Sequence, residues 1–258
     1  MLEAIFLGIV QGLTEFLPIS SSAHIRILGE FLPSAQDPGA TFTAIMQIGT
    51  EIAVLIFFFN QIKQIIKGGK LRFLIILGSI PIFIFGYLGQ EIIRNNFRSL
   101  WLIAATLIVF GVILGFLDYK GRSDKTLENL GTRDGLWYGL AQSLALVPGV
   151  SRSGATIAMG RLLGYKREDA LRYSFLLAIP AVLGSGTYEL LNSFSEPTNV
   201  FSIPETLAAT FTAFIVGYAV IAWLMKFVQN KSFMPFVIYR ITLGTLVLIL
   251  LSTGTISA

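Results

Sequence analysis

Six stretches of this chain, at 40–60, 72–92, 98–117, 172–191, 205–227 and 235–253, each run for about twenty mostly apolar residues. At a rise of about 1.5 Å per residue, one such stretch crosses the hydrocarbon of a bilayer as a single helix. Little polar chain remains to cover a water-facing surface. Of the 258 residues 54% are hydrophobic and 13% are charged, whereas an ordinary soluble domain carries about 25% charge. The expectation is an all-α integral membrane protein with six transmembrane helices, and no nucleic-acid partner. The absence of cysteine excludes disulfides and thiolate metal sites. The opening MLEAIFLGIVQGLTEFLP carries two acids, no basic start and no small-residue cleavage site, so it is expected to belong to the fold.

Two further apolar regions are broken. Region 1–32 is interrupted at LPISSS, and region 136–164 at VPGVSRSG. Proline removes a backbone donor and serine competes for backbone bonds, so each helix should stop there and a short one begin, at 23–31 and 154–163. Irregular backbone survives at membrane depth only inside protein or beside a watery cavity. Both regions are therefore expected to form re-entrant helical hairpins.

The two broken regions also look like copies. An offset of 131 residues superimposes Gly8 on Gly139, Gln11 on Gln142, Leu13 on Leu144, Ser20 on Ser151 and Ser22 on Ser153. The same offset carries Phe42 onto Tyr173 and Tyr87 onto Tyr218. Such a match predicts a duplication: residues 1–120, a connector 121–134, and residues 135–258. Each half has a hairpin plus three spans, and an odd number of crossings inverts the second half relative to the first. The basic residues agree. Fourteen of the nineteen, including Lys63, Arg72, Lys125, Arg133, Arg161, Arg167, Arg172 and Lys231, fall on loops of one side. Arg26, Arg94 and Arg98 fall on the other, and Arg152 and Arg240 lie within apolar sequence. The rich side should be cytoplasmic and both termini outside.

The breaks hold the chemistry. The first brings Gln11, Glu15, Ser20, Ser21, Ser22 and the chain's one histidine, His24; the second brings Ser151, Arg152, Ser153 and Thr156. A helix start offers free N–H groups and the positive end of a dipole. Two such starts beside an arginine fork suit phosphate oxygens, with Ser20, Ser22, Ser151, Arg152, Ser153 and Thr156 as the binding groups. The copies differ where the chemistry needs it: Glu15 falls opposite Leu146, and Ser21 opposite Arg152.

QGLTEFLPISSSAH at 11–24 and PGVSRSGAT at 148–156 resemble the two motifs of the undecaprenyl-pyrophosphate phosphatases of the bacitracin-resistance type. The hydrophobic layout resembles that family along essentially the whole chain. The resemblance implies hydrolysis of a C55 polyprenyl pyrophosphate to the monophosphate, recycling the lipid carrier of wall synthesis and conferring bacitracin resistance. It places the protein in the bacterial plasma membrane, its site opening to the outer face, and implies a divalent cation, magnesium or calcium. The family has Glu or Gln at the position of Gln11, and Gln here leaves one carboxylate in that motif. Glu15 with Gln11 is expected to hold the cation through oxygen ligands. The catalytic set is expected to be Glu15, Ser21, His24 and Arg152. His24 can act as base or as nucleophile; the resemblance singles out Ser21, and Ser21 as nucleophile with His24 as base is favoured. Expected partners are the polyprenyl pyrophosphate and membrane lipids, with a homodimer left open. The alternative is a transporter or flippase for the same anionic lipid, because inverted repeats with broken helices are a carrier architecture.

Other polar groups have structural readings. Arg240 is expected to snorkel at the start of its span. Glu51, mid-span, is expected to pair with Arg152 or Arg240. Gly8 with Gly12, and Gly160 with Gly164, are expected to let helices approach closely.

Overall fold

The computed structural model describes residues 1–32, 38–89, 93, 97, 99–193 and 200–256. The helices run in the order α1 (Leu2–Thr14), α2 (Ser21–Gly29), α3 (Ala40–Phe57), α4 (Phe59–Ile66), α5 (Lys70–Leu88), α6 (Leu100–Lys120), α7 (Thr132–Ser143), α8 (Arg152–Leu162), α9 (Arg167–Ser193), α10 (Ile203–Asn230) and α11 (Met234–Ser252). Among the described residues, the extended backbone contact is a single bridge between Lys125 and Tyr165.

Five helices, α5, α6, α9, α10 and α11, are long and apolar enough to cross a membrane. The sixth expected span, 40–60, is not straight: α3 ends at Phe57, and α4 leaves it at 84°. The bend sits where Phe58 turns inward and is buried, its ring edge-on to Phe57 at 4.9 Å, while Phe59 is exposed. α9 starts at Arg167, earlier than the 172 that hydropathy suggests. Its first turn carries Glu168 and Asp169, which favour a helix start, and Glu168 pairs with Arg172 one turn on. α10 opens with a capping box of Ser202 and Glu205, and the Met1 ammonium pairs with Glu205. On α5, Phe73, Ile76, Ile80, Phe83, Ile84 and Tyr87 are exposed. Apolar surface of that extent marks a face meant for lipid.

Glycines set the closest helix contacts. A Cβ on Gly8 would stand 2.4 Å from the Ala209 carbonyl oxygen, and one on Gly139 would stand 2.3 Å from that of Gly78. Gly8 and Gly139 are related by the 131-residue offset, and so are Gly78 and Ala209. α1 thus packs on α10, and α7 on α5, through glycines that stand 131 residues apart. α6 lies on α11, where Gly111, Gly115 and Gly244 meet Arg240, Val237 and Ala104. Gly12 and Gly160 are similarly crowded, by Ala213 and by the Tyr138 hydroxyl. Gly164 differs from expectation: it has φ +93 and a nearly open Cβ direction, so it serves the turn after α8.

At one end Asp118 gathers four elements. Its carboxylate accepts from Arg167 Nε at 2.7 Å and from the Phe233 N–H at 3.0 Å, and lies 3.2 Å from Arg161 Nε. Arg161, counted among the basic residues of one side's loops, is in the last turn of α8 within the expected helix 154–163, but it is 1% exposed. It also donates to the carbonyls of Gly121, Arg122 and Tyr165.

Candidate active site

Among the described residues two non-glycine residues have positive φ, Ser20 (70°) and Ser151 (71°). They are the N-caps of α2 and α8, so each helix opens two residues earlier than expected. Such backbone costs about 1–3 kcal/mol and persists where its surroundings over-determine it. The surroundings here are mutual. Ser151 Oγ accepts the Gly154 N–H of its own helix at 3.1 Å. Ser20 Oγ accepts the Gly149 N–H of the other break at 3.2 Å. Ser153 Oγ crosses back to the Leu17 carbonyl at 3.0 Å.

Arg240 locks both breaks from behind. It is fully buried. Its guanidinium donates to Pro18 O (3.0 Å), Gly149 O (2.7 Å), Val150 O (3.0 Å), Leu107 O (3.0 Å) and Thr106 O (3.5 Å). Snorkelling is therefore wrong for this residue. The orphan carbonyls of two broken helices are a larger reward than water at the membrane surface, and α11 passes directly behind them. The signal in the sequence was an arginine inside an apolar run, which an N-terminal position in the span made easy to explain away.

Glu15 is the hub in front. It caps the end of α1 and is 8% exposed. Its carboxylate accepts from Ser21 Oγ at 2.5 Å, Gln11 Nε2 at 2.6 Å and Arg152 Nη2 at 2.5 Å. The hydroxyl proton of Ser21 thus points at Glu15, not at His24. His24 is turned elsewhere. Its Nδ1 lies 2.7 Å from the Ser20 carbonyl, which can only accept, so the proton is on Nδ1. Its Nε2 lies 2.8 Å from the Tyr239 hydroxyl, and the two rings stack. Thr156 is also directed away: its hydroxyl bonds the Arg152 carbonyl at 2.8 Å and meets Ser174 Oγ at 2.5 Å. Tyr239, Ser174 and Arg240 are site neighbours that the two motifs do not contain.

A cavity of about 510 Å³ opens over this hub. Glu15, Ser20, Ser21, Ser22, Ser151 and Arg152 make its polar end. Its walls are apolar, from Ile82, Phe83 and Tyr87 on α5, Leu146, and Ala181 and Val182 on α9. His24, Ser153, Thr156 and Gln11 do not line it. A divalent cation fits the donor set: Glu15 is ionisable, and Gln11 Oε1 and both oxygens of Glu51 are buried without a hydrogen-bond partner. These are hard oxygen ligands of the kind magnesium and calcium take. Among the described residues no group of three acidic, histidine or cysteine side chains could hold a metal alone. Amide, hydroxyl or phosphate oxygens would have to complete the shell. Glu51 approaches Arg152, with Oε2 3.9 Å from Nη2, and not Arg240.

The same two breaks fall inside a region recognised by family comparison. Residues 4–246 match the family described as "Bacitracin resistance protein BacA". A protein of Micrococcus luteus named undecaprenyl-diphosphatase is 56% identical over 274 residues, covering 100% of this chain and 99% of its own. One of Clavibacter michiganensis subsp. michiganensis, with the same name, is 54% identical over 272 residues, covering 100% and 99%. The undecaprenyl-diphosphatase 2 of Agrobacterium fabrum is 53% identical over 272 residues, covering 100% and 98%. The family match over residues 4–246 and the full-length similarity agree, and the chain belongs to the bacitracin-resistance (BacA) family.

Proposed function

We propose that the protein hydrolyses undecaprenyl pyrophosphate to undecaprenyl phosphate and inorganic phosphate, the activity that the names of its relatives carry. The observation that carries this reading is the cavity: a cationic, hydroxyl-rich end joined to apolar walls beside lipid-facing helices. That division fits a lipid with a charged head. Arg152 and the N–H groups at the starts of α2 and α8 bind the terminal phosphate. Ser21 Oγ attacks the terminal phosphorus as Glu15 takes its proton, and undecaprenyl phosphate leaves. Water then cleaves the phosphoseryl bond and restores the serine hydroxyl. His24 holds the Ser20 carbonyl and thereby the opening of α2, with Tyr239 against its Nε2. A bound magnesium or calcium ion, held by Glu15 and the Gln11 amide oxygen, would neutralise phosphate charge. Phosphoryl transfer is mostly positioning and charge neutralisation, which these groups supply.

Purified protein in detergent should release phosphate from a polyprenyl pyrophosphate and stop when EDTA is added. Absence of release under every metal condition would sink the reading and leave the carrier alternative. The Ser21–Glu15 bond argues for the enzyme, because a carrier has no need to prime a hydroxyl.

The protein is also read as two inverted repeats, 1–120 and 135–258 around the connector 121–134, with re-entrant hairpins at 1–32 and 136–164. The exchanged glycine contacts and the paired positive-φ serines support this. The protein then sits in the plasma membrane with both termini outside and the cavity opening outward. Single cysteines replacing Lys125 and Lys231 should be labelled from the cytoplasm. Asn199, which with Arg94 and Arg98 lies outside the described residues, should be labelled from outside. Labelling of position 199 from the cytoplasm alone would refute the arrangement. A homodimer remains part of the proposal, to be read from the mass of the detergent-solubilised protein.

A further inference from the structure

We propose that Glu51 on α3 supplies the second carboxylate of the divalent-cation site, facing Glu15 across the Arg152 guanidinium. The inference rests on the reading that a cation assists this enzyme. The first motif offers one acid, Glu15, with an amide at Gln11. Glu51 comes from a different helix and a sequence position outside both motifs. It is fully buried, and neither of its oxygens receives a hydrogen bond. A buried carboxylate without donors is costly unless a cation compensates it. One nitrogen, Arg152 Nη2, stands 2.5 Å from Glu15 and 3.9 Å from Glu51, so the two acids flank a single positive group. Gln11 Oε1 is a third buried oxygen without a partner beside them, since its Nε2 is committed to Glu15.

The repeat makes the placement specific. Under the 131-residue offset the counterparts of Glu15 and Glu51 are Leu146 and Val182. Both of those line the apolar wall of the cavity. The pair of acids therefore belongs to one half alone, as a functional pair would, and not to the common scaffold. With a cation held by Glu15 and Glu51, Arg152 would be free to direct its fork to the phosphate. Magnesium is commonly held by one or two carboxylates plus substrate phosphate.

The probe is Mn²⁺ in the absence of substrate, followed by loss of the free six-line EPR signal on adding detergent-purified protein. Wild type should bind Mn²⁺. Glu51→Gln should weaken binding at least about tenfold, since loss of even an outer-shell partner costs about 10–100-fold. Gln11→Glu added to Glu51→Gln should restore much of that loss, which a purely structural role would not do. A wild type that binds no Mn²⁺ would remove the cation reading itself. A wild type that binds with a Glu51→Gln variant equal to it would overturn this proposal and leave that reading standing. Should the variant fail to fold, wild-type protein decides: a lipid-soluble carbodiimide, which enters buried sites from the membrane side, should modify Glu51 in the absence of metal, and Mn²⁺ should protect it; absence of modification without metal would also overturn the proposal. Equal modification with and without Mn²⁺ would overturn the proposal.

Discussion

Glu15→Gln should lower the rate of phosphate release by about 10²–10⁴, the range for loss of a general acid or base. The change keeps the size of the side chain. It removes the atom that receives the Ser21 proton and the charge that Arg152 pairs with. Removing one partner of a buried pair costs about 3–5 kcal/mol, so the thermal unfolding temperature in detergent should fall as well. Some of that loss is moderated by Glu51, which remains near Arg152. Ser21→Ala should be comparably damaging, and the double variant little worse than either, because groups acting as one unit are not additive. Additive losses, or near-normal turnover in Glu15→Gln, would separate the two residues. An acid-labile phosphohistidine trapped at His24 would replace Ser21 as the nucleophile.

Arg240→Leu should leave little folded protein. Three carbonyl oxygens of the two breaks, those of Pro18, Gly149 and Val150, lose this donor at once. Each buried acceptor left alone costs about 1–3 kcal/mol, against a total stability of about 5–15 kcal/mol for a typical protein. Arg240→Lys retains the charge but not the planar fork. That variant should fold with a lowered unfolding temperature and turn over slowly, since Ser20 and Ser151 are then held less firmly at positive φ. Thermal unfolding and phosphate release measured on the same preparations test both statements. An Arg240→Leu protein with normal stability and turnover would show that the breaks hold themselves.

The first motif was legible because it concentrates unusual groups in a short stretch. Glu15, Ser21 and Gln11, one helical turn before Glu15, lie around one break, and the structure joins all three. Arg152 was legible through its place at a second break. What those motifs did not contain was the pairing between them. Glu15 and Arg152 are 137 residues apart, His24 and Tyr239 are 215 apart, and Pro18 and Arg240 are 222 apart. The favoured pairing of Ser21 with His24 as its base leaned on the family resemblance, whereas in the structure the imidazole lies against Tyr239 of α11 and the Ser21 hydroxyl against Glu15.

By itself the sequence determined the membrane class, most of the helical spans, the two breaks and a 131-residue offset that superimposes residues of one break region on the other. These follow from local chain properties: the length of an apolar run against bilayer thickness, proline and serine against helix continuation, and the spacing of repeated residues. Tertiary structure alone decided that α3 bends at Phe58, that Arg240 is a buried clamp, that Glu15 accepts the hydrogen bond of the Ser21 hydroxyl, and that Glu51 stands beside Arg152. A buried polar group takes whichever partner the packing brings within about 3 Å. In a bundle of helices that partner lies on another helix, so no pattern along one segment encodes it.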